Sequence, residues 1–274
     1  MGKCKKAALA LLPIALGLFM GILKSPNLEF LGSGEMFDTI APQYDTINRL
    51  MSLGLDTNWR KELVEGLQLK PGDRVLDLGT GERSPWSNIS HPSVHLSVSC
   101  QVTGVDPSSK MIELGRGKIH NQDLGDIVSL QLGDAEKLEL QDGSFDKIAM
   151  SFAIRNVPDR KKALKEVLIT YLEALLQIYR VASKKAGTIV GILEFHMPQE
   201  GLLAPVAAFV IKHLTPLFGT LVGAYEQYQH LQKSIFEFPS PSLWTEAMGN
   251  AGLRVFDHKV MCQGVVHLYL ASVK

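Results

Sequence analysis

The sequence predicts an α/β fold: a doubly wound parallel sheet with flanking helices, preceded by an N-terminal hydrophobic segment. Three observations carry this reading. Short apolar runs alternate with longer amphipathic ones, the pattern of parallel strands joined by crossover helices. The first short run passes straight into a glycine turn, Asp77-Leu78-Gly79-Thr80-Gly81, and the second ends in a carboxylate, Asp106. Composition agrees, since 46% of the 274 residues are hydrophobic, enough for a sizeable core and too many for wholesale disorder.

The elements follow in order. Residues 1–6 are basic, and Ala7 to Leu23 carries no charge. A spanning helix needs about 20 apolar residues, with a lower limit near 17. The run therefore fits a removed leader, a retained anchor or a core helix, and Pro13 interrupts each of them. Ser25 to Glu35, with Pro26, Gly32 and Gly34, reads as a linker. Residues 1–35 thus stand apart from a domain spanning 36–274. Within it, Arg74 to Leu78 is a buried strand after the turn Lys70-Pro71-Gly72-Asp73. Gln101 to Asp106 is the second strand, and Ser108 to Ile119 a helix. Ile127 to Leu132, Phe145 to Ser151 and Thr188 to Phe195 are the next strands. Ser242 to Ala251 is a helix before a final strand pair, Gly252 to Phe256 and Val265 to Val273.

Charge and cysteines exclude several classes. Twenty-eight Lys and Arg balance 28 Asp and Glu, which argues against bulk electrostatic binding of nucleic acid. Cys4, Cys100 and Cys262 are too few and too scattered for a disulfide framework, and no Cys/His spacing suggests a metal site.

A sharp strand-to-helix turn needs glycines so that backbone can approach a ligand closely. A carboxylate at the next strand end can accept both hydroxyls of a ribose, because it offers two acceptor oxygens. The turn and the acid, in this order, point to a nucleoside-bearing ligand; the turn alone also fits a plain tight turn. Ser84 stands where a dinucleotide fingerprint has its third glycine, and no Gly-Lys-Ser/Thr follows. Asp134, in Gly133-Asp134-Ala135-Glu136, fits an adenine-edge contact or a cap for a following short helix.

Several blocks carry a family resemblance. They are Phe37-Asp38-Thr39-Ile40-Ala41-Pro42-Gln43-Tyr44-Asp45, Asn48 to Gly54 and Trp59-Arg60, then the glycine turn, Gly104-Val105-Asp106 and Gly133 to Glu136. Ser151-Phe152-Ala153-Ile154-Arg155-Asn156-Val157, Leu193-Glu194-Phe195 and Tyr225-Glu226-Gln227-Tyr228 continue the series in order. Together they resemble the ubiquinone/menaquinone-biosynthesis C-methyltransferases over roughly residues 36–274. The resemblance implies a Rossmann-like class I methyltransferase sheet and S-adenosylmethionine (SAM) as methyl donor. It implies SAM contacts at Gly79, Thr80, Gly81, Asp106, Asp134, Ala135 and Ser151. The implied acceptor is a prenylated quinol, benzo- or naphthoquinol. Implied partners are a membrane surface and a homodimer or quinone-biosynthesis complex. The implied setting is a mitochondrial inner membrane facing the matrix, a plastid, or a bacterial cytoplasmic membrane. A methyltransferase for another small acceptor, or a binding scaffold without activity, are the alternatives.

Two segments depart from the family pattern. Glu82 to Ser93 holds two prolines and four serines, poor helix material just where a helix should follow the turn. About eleven extra residues, Val167 to Gln177, precede Tyr179-Arg180-Val181 and are apolar enough to lengthen a helix. Asp56 stands where the family has His, so no role is carried over to it.

A quinol carbon is a weak nucleophile until a ring hydroxyl loses its proton, so the site needs a base or a cation that stabilises the phenolate. Arg155 is the first candidate, for phenolate stabilisation or water orientation; the alternative is a surface salt bridge. Asn156 orients the quinol oxygen or caps a helix. Asp45 is a candidate water-assisted base or a solvent-facing helix aspartate, and His196 is a further candidate base or a packed or exposed residue. Residues 201–223 read as a helix pair, either interfacial and substrate-covering or ordinary core of a cap.

Overall fold

The computed structural model describes residues 34–52, 54–82, 86, 100–157, 167–198, 204–221 and 223–274. Seven strands form one sheet: β1 (Arg74–Leu78), β2 (Gln101–Asp106), β3 (Val128–Leu132), β4 (Lys147–Ser151), β5 (Ile189–Phe195), β6 (Leu253–Met261) and β7 (Val266–Val273). Their order is β3-β2-β1-β4-β5-β7-β6. The first five run parallel, and β7 is antiparallel to both β5 and β6. The chain reverses its direction of winding between β1 and β4, so a crevice opens at their carboxyl ends, where such sheets bind ligands.

The strands read as near-continuous apolar runs because helices cover both faces. Leu76, Leu78, Ile148, Met150, Val190 and Ile192 point to one face. There they meet α4 (Val167–Val181), preceded in the chain by α1 (Gly34–Met51), α2 (Asp56–Gly66) and α3 (Ser109–Asn121). Tyr171, Ala174, Leu175, Ile178 and Val181 bury one stripe of α4 at helical spacing. The extra segment from Val167 therefore does lengthen a helix. Val75, Val102, Ala149 and Leu193 point to the opposite face, against Trp59, Leu63 and Val64 of α2 and Ile112 and Ile119 of α3.

The last strand pair is longer than its pattern suggests. Asp257-His258-Lys259 looks like a break, yet β6 continues to Met261. An edge antiparallel strand can keep one face in water, and a register shift between Val255 and Asp257 adjusts the pairing.

The expected helix pair at 201–223 is instead one near-continuous helical stretch within 204–221. It comprises α5 (Ala204–Phe209), a π-helical turn (Val210–Leu214) and α6 (Thr215–Leu221). Pro216 has no N–H to give Lys212, and the widened turn absorbs the mismatch. The Lys212 carbonyl accepts instead from the Gln232 side-chain amide at 3.0 Å. Gln232 lies on α7 (Tyr225–Glu237), which α8 (Pro241–Asn250) follows. The N-terminal hydrophobic run and the segment 83–99, Trp86 excepted, lie outside the described residues. Trp86 itself is fully buried among the α2 and α3 side of the core.

Candidate active site

The turn after β1 is held by its own backbone. Gly79 and Thr80 N–H both donate to the Val105 carbonyl, at 2.8 and 3.2 Å. Gly79 has φ +63°, and a Cβ there would lie 2.3 Å from that of Ala153, so only glycine fits. Thr80 is buried, and its hydroxyl donates to Asp77 Oδ2 at 2.7 Å. Both carboxylates near the turn therefore shape it, Asp77 through Thr80 and Asp106 through Gly81.

Asp106 closes β2 and is 6% exposed. Its Oδ2 accepts from Gly81 N–H at 2.8 Å and its Oδ1 from Ser108 N–H at 2.9 Å. Burial pushes its pKa up to about 6; the two amide bonds oppose that rise, and the nearby Asp38 charge adds to it. Such a carboxylate is ready to accept further donors, as the hydroxyls of a ribose would be.

All seven residues expected on the cofactor side line one cavity: Gly79, Thr80, Gly81, Asp106, Asp134, Ala135 and Ser151. Asp134 does not cap a helix. Its Oδ1 accepts from Glu136 N–H at 2.9 Å, and residues 134–137 make a turn with no helix after it. Asp38 of α1 fastens this side of the site. It accepts from Ser108 Oγ at 2.5 Å and Lys110 N–H at 3.0 Å, at the start of α3. Burial alone would raise the Asp38 carboxyl, but these bonds and one from Ser109 outweigh it and hold it below its usual value. Gly34 and Phe37 of the same helix line the cavity.

A second, mostly apolar cavity lies alongside. Trp59, Phe195, Ile211, Tyr228, Leu231 and Ile235 supply much of its wall, with Arg155 and Asn156 among the polar residues. Four residues line both cavities: Phe37, Arg60, Phe152 and Asn156. Phe152 adopts φ +56°, rare for a bulky side chain, at the carboxyl edge of β4. Its ring stacks on Phe195 at 4.4 Å.

The structure separates the residues expected to carry chemistry. Arg155 sits at the second cavity, but in a buried ion pair, not on the surface. Its NH1 lies 2.5 Å from Glu194 Oε1, with the two side chains 4% and 0% exposed. It also donates to the Phe152 carbonyl at 3.0 Å. Asn156 faces both cavities, and its amide lies 3.4 Å from the Phe152 carbonyl. It ends a short 3-10 turn, Ile154–Asn156, and residues 158–166 after it lie outside the described residues. Tyr44 and Asp45 lie on α1, with side chains outside the described residues. His196 lines neither cavity. Its Nδ1 donates to the Pro239 carbonyl at 3.1 Å, and the Tyr269 hydroxyl meets its Nε2 at 3.0 Å. Burial, with His267 nearby, drives its pKa down to about 3, so it stays neutral. His196 is a packed core histidine.

Arg60 is the residue that sequence reasoning named but gave no role. It donates to Ser151 Oγ at 2.5 Å, and its guanidinium lies 5.4 Å from the Phe152 ring centre. The available signal was periodicity. Trp59, Leu63 and Val64 make the buried face of α2, and Arg60 is a charged residue beside it.

Comparison with known proteins agrees with this arrangement. Residues 31–273 match the model of the ubiE/COQ5 methyltransferase family. The chain is 34% identical to the ubiquinone/menaquinone biosynthesis C-methyltransferase of Geotalea daltonii, over 86% of this chain and 93% of that protein. It is 35% identical to the demethylmenaquinone methyltransferase of Lactiplantibacillus plantarum, over 75% of this chain and 80% of that one. Among solved structures, the geranyl diphosphate C-methyltransferase of Streptomyces coelicolor shares the fold, with TM-score 0.54 at 13% identity, covering 80% of each chain. A glycine turn and strand-end acid around one cavity, an apolar cavity beside it, and a match running nearly end to end lead to one conclusion: the chain belongs to the ubiE/COQ5 methyltransferase family.

Proposed function

We propose that this protein transfers a methyl group from SAM to a ring carbon of a prenylated quinol in quinone biosynthesis. The observation that carries this is the pairing of two cavities across a shared wall, one carrying Asp106 and the glycine turn, the other more apolar and suited to a ring with a hydrocarbon tail. The residues present fit the donor. Asp106 is a buried carboxylate facing the cavity and would take the ribose hydroxyls. Asp134 and Ala135 would meet the adenine edge, and the turn Gly79-Thr80-Gly81 and Ser151 would hold the remainder. SAM supplies a methyl group on a sulfonium that is its own leaving group. The protein's part is to align the acceptor carbon, exclude water and steady the ring oxygen; alignment alone can supply about 7–11 kcal/mol of the barrier. In this reading Asn156, facing both cavities, orients the quinol oxygen, and Arg155 holds the acceptor-side wall in place through Glu194 and Phe152.

The test is direct. Purified full-length protein with SAM and a chemically reduced, short-prenyl demethylnaphthoquinol or demethylbenzoquinol should yield the C-methylated quinol, identified by mass spectrometry. SAM binding without methylation of either ring would remove the acceptor assignment.

The prenyl tail motivates a second part of the proposal, contact with a membrane surface. Among the described residues no helix is long and apolar enough to cross a membrane. The stretch over the acceptor cavity turns Ile211 and Thr215 inward and leaves Phe209 58% and Leu217 54% exposed. An apolar helix face of this kind can lie in the headgroup region. Phe209→Asp is expected to reduce co-flotation with phosphatidylglycerol vesicles severalfold without changing the melt of the protein. Equal flotation would remove this face from the proposal.

A further inference from the structure

We infer that Phe152 sets where the methyl group lands, holding the acceptor ring so that a carbon and not the oxygen meets the donor; this rests on the quinol reading above and assigns a selectivity within that site.

The chemistry poses the problem. A quinol that has lost a hydroxyl proton shares its negative charge between the oxygen and ring carbons, so both are nucleophiles. Transfer to oxygen forms the oxygen–methyl bond as the methyl–sulfur bond breaks, and that bond's electron pair stays on sulfur. Transfer to carbon breaks the same bond in the same way. The ring carbon then releases its hydrogen as a proton, and the oxygen regains a proton from water. From the neutral quinol, each route releases one proton overall. The donor and its product are common to both routes, so the protein chooses between them by placing the ring against the methyl group.

Phe152 is built to fix that placement. It follows Ser151 at the carboxyl end of β4 and lines both cavities. Its backbone sits at φ +56°, a conformation that a bulky residue keeps only where its surroundings over-determine it. Three hydrogen bonds do so here. Its N–H donates to the Leu193 carbonyl at 2.8 Å. Its carbonyl accepts from Arg155 NH1 at 3.0 Å and from the Asn156 amide at 3.4 Å. The ring is held as well. It stacks on Phe195 with centroids 4.4 Å apart, and Trp59 meets it edge-on at 6.1 Å. All three rings line the acceptor cavity.

The bond from Asn156 joins two tasks. Asn156 is the group assigned above to the acceptor's oxygen, and its amide is tied to the Phe152 carbonyl. The seat for the oxygen and the wall for the ring therefore belong to one unit with a fixed spacing. A ring held by its oxygen and laid against that wall presents a carbon to the donor cavity. With the flat wall gone, the ring can turn about its held oxygen until the oxygen itself faces the methyl group.

The experiment uses the full chain as wild type, Phe152→Leu, Phe152→Met and Phe152→Tyr. The first readout needs no turnover. Protein with isotope-labelled phenylalanine rings is saturated with S-adenosylhomocysteine and 1-naphthol, and the ring signal lost in Phe152→Leu identifies Phe152. Wild type should show nuclear Overhauser contacts between that ring and the naphthol. The second readout is the product formed from a short-prenyl demethylquinol, separated against C-methyl and O-methyl standards. Saturating SAM removes any accompanying change in donor affinity from the comparison. Wild type should give the C-methyl product. In Phe152→Leu, carbon transfer should fall by about a hundredfold, the scale of a misplacement near 1 Å, and the O-methyl ether should appear. Phe152→Tyr keeps the ring and should restore carbon transfer. Should Phe152→Leu fail to melt cooperatively, Phe152→Met decides, since it fills irregular space without a flat ring. Absence of contacts between naphthol and the Phe152 ring overturns the inference. So does a folded Leu or Met variant that yields the C-methyl product alone, whatever its rate. Failure of wild type to methylate any demethylquinol, with the naphthol contacts intact, counts against the quinol reading instead.

Discussion

Arg155→Ala should destabilise the protein by about 3–5 kcal/mol, because it leaves one buried charge without its partner. The pair lies at 2.5 Å with both side chains excluded from water. A surface salt bridge would contribute about 1 kcal/mol or less, and the stability loss separates the two cases. The expected pH dependence has a definite sign. Burial already pushes the Glu194 carboxyl up in the intact protein, against the pull of Arg155, and without that pull its folded pKa rises further above the unfolded one. The variant should then be most stable in acid and weaken as pH rises, and its deficit against wild type should shrink on acidification. Denaturant titrations at several pH values measure this. Adding Glu194→Gln to Arg155→Ala removes the stranded charge and should restore much of the stability. If turnover stays low in that stable double variant, Arg155 acts on the acceptor as well as on the fold. If turnover returns, its part is confined to holding the wall.

Asp106→Ala should weaken SAM binding by about tenfold to more than a hundredfold, since hydrogen bonds to a charged group contribute about 1.5–3 kcal/mol. Two losses combine. The ribose hydroxyls lose their acceptor, and Gly81 and Ser108 N–H lose the groups that hold the turn in place. In wild type the same carboxyl predicts a pH effect. With its pKa raised to about 6, Asp106 takes up a proton in the free protein as pH falls below that value. Hydroxyl donors favour the ionised form, so binding must expel this proton. SAM affinity should therefore be flat above about pH 7 and fall by up to tenfold per pH unit below about 6. Calorimetry in buffers of different ionisation enthalpy would show proton release in that window. An alanine variant with unchanged affinity would remove Asp106 from the donor site.

Much of the sheet and the donor side was legible because the relevant signals are local. A buried strand, a glycine turn and a strand-end acid lie within a few residues of one another, and each dictates backbone geometry directly. Asp106 reaches Gly81 through the order of adjacent strands, which the alternating pattern already implies. The acceptor side depends on contacts that sequence spacing cannot express. Arg60 and Ser151 are 91 positions apart, and Arg155 and Glu194 are 39 apart. The polarity of Glu194 inside the apolar run Ile192-Leu193-Glu194-Phe195 was a usable hint that a cation must lie opposite. His196 is the complementary case. It stands at a strand end, like a catalytic base, but Tyr269 and the Pro239 carbonyl occupy both ring nitrogens. The helical stretch over residues 204–221 looked like two helices because proline usually ends one, and a π turn avoids that ending.

The shared wall between the two cavities bears on how this enzyme can diversify. Phe37, Arg60, Phe152 and Asn156 belong to both chambers, so a substitution at any of them is felt on the donor side and the acceptor side together. Ile211, Leu231 and Ile235 line the apolar chamber alone. In the proposed reading, a change of volume at those positions should alter the fit of the acceptor's tail and leave SAM affinity unchanged, whereas a change at the four shared residues should move both.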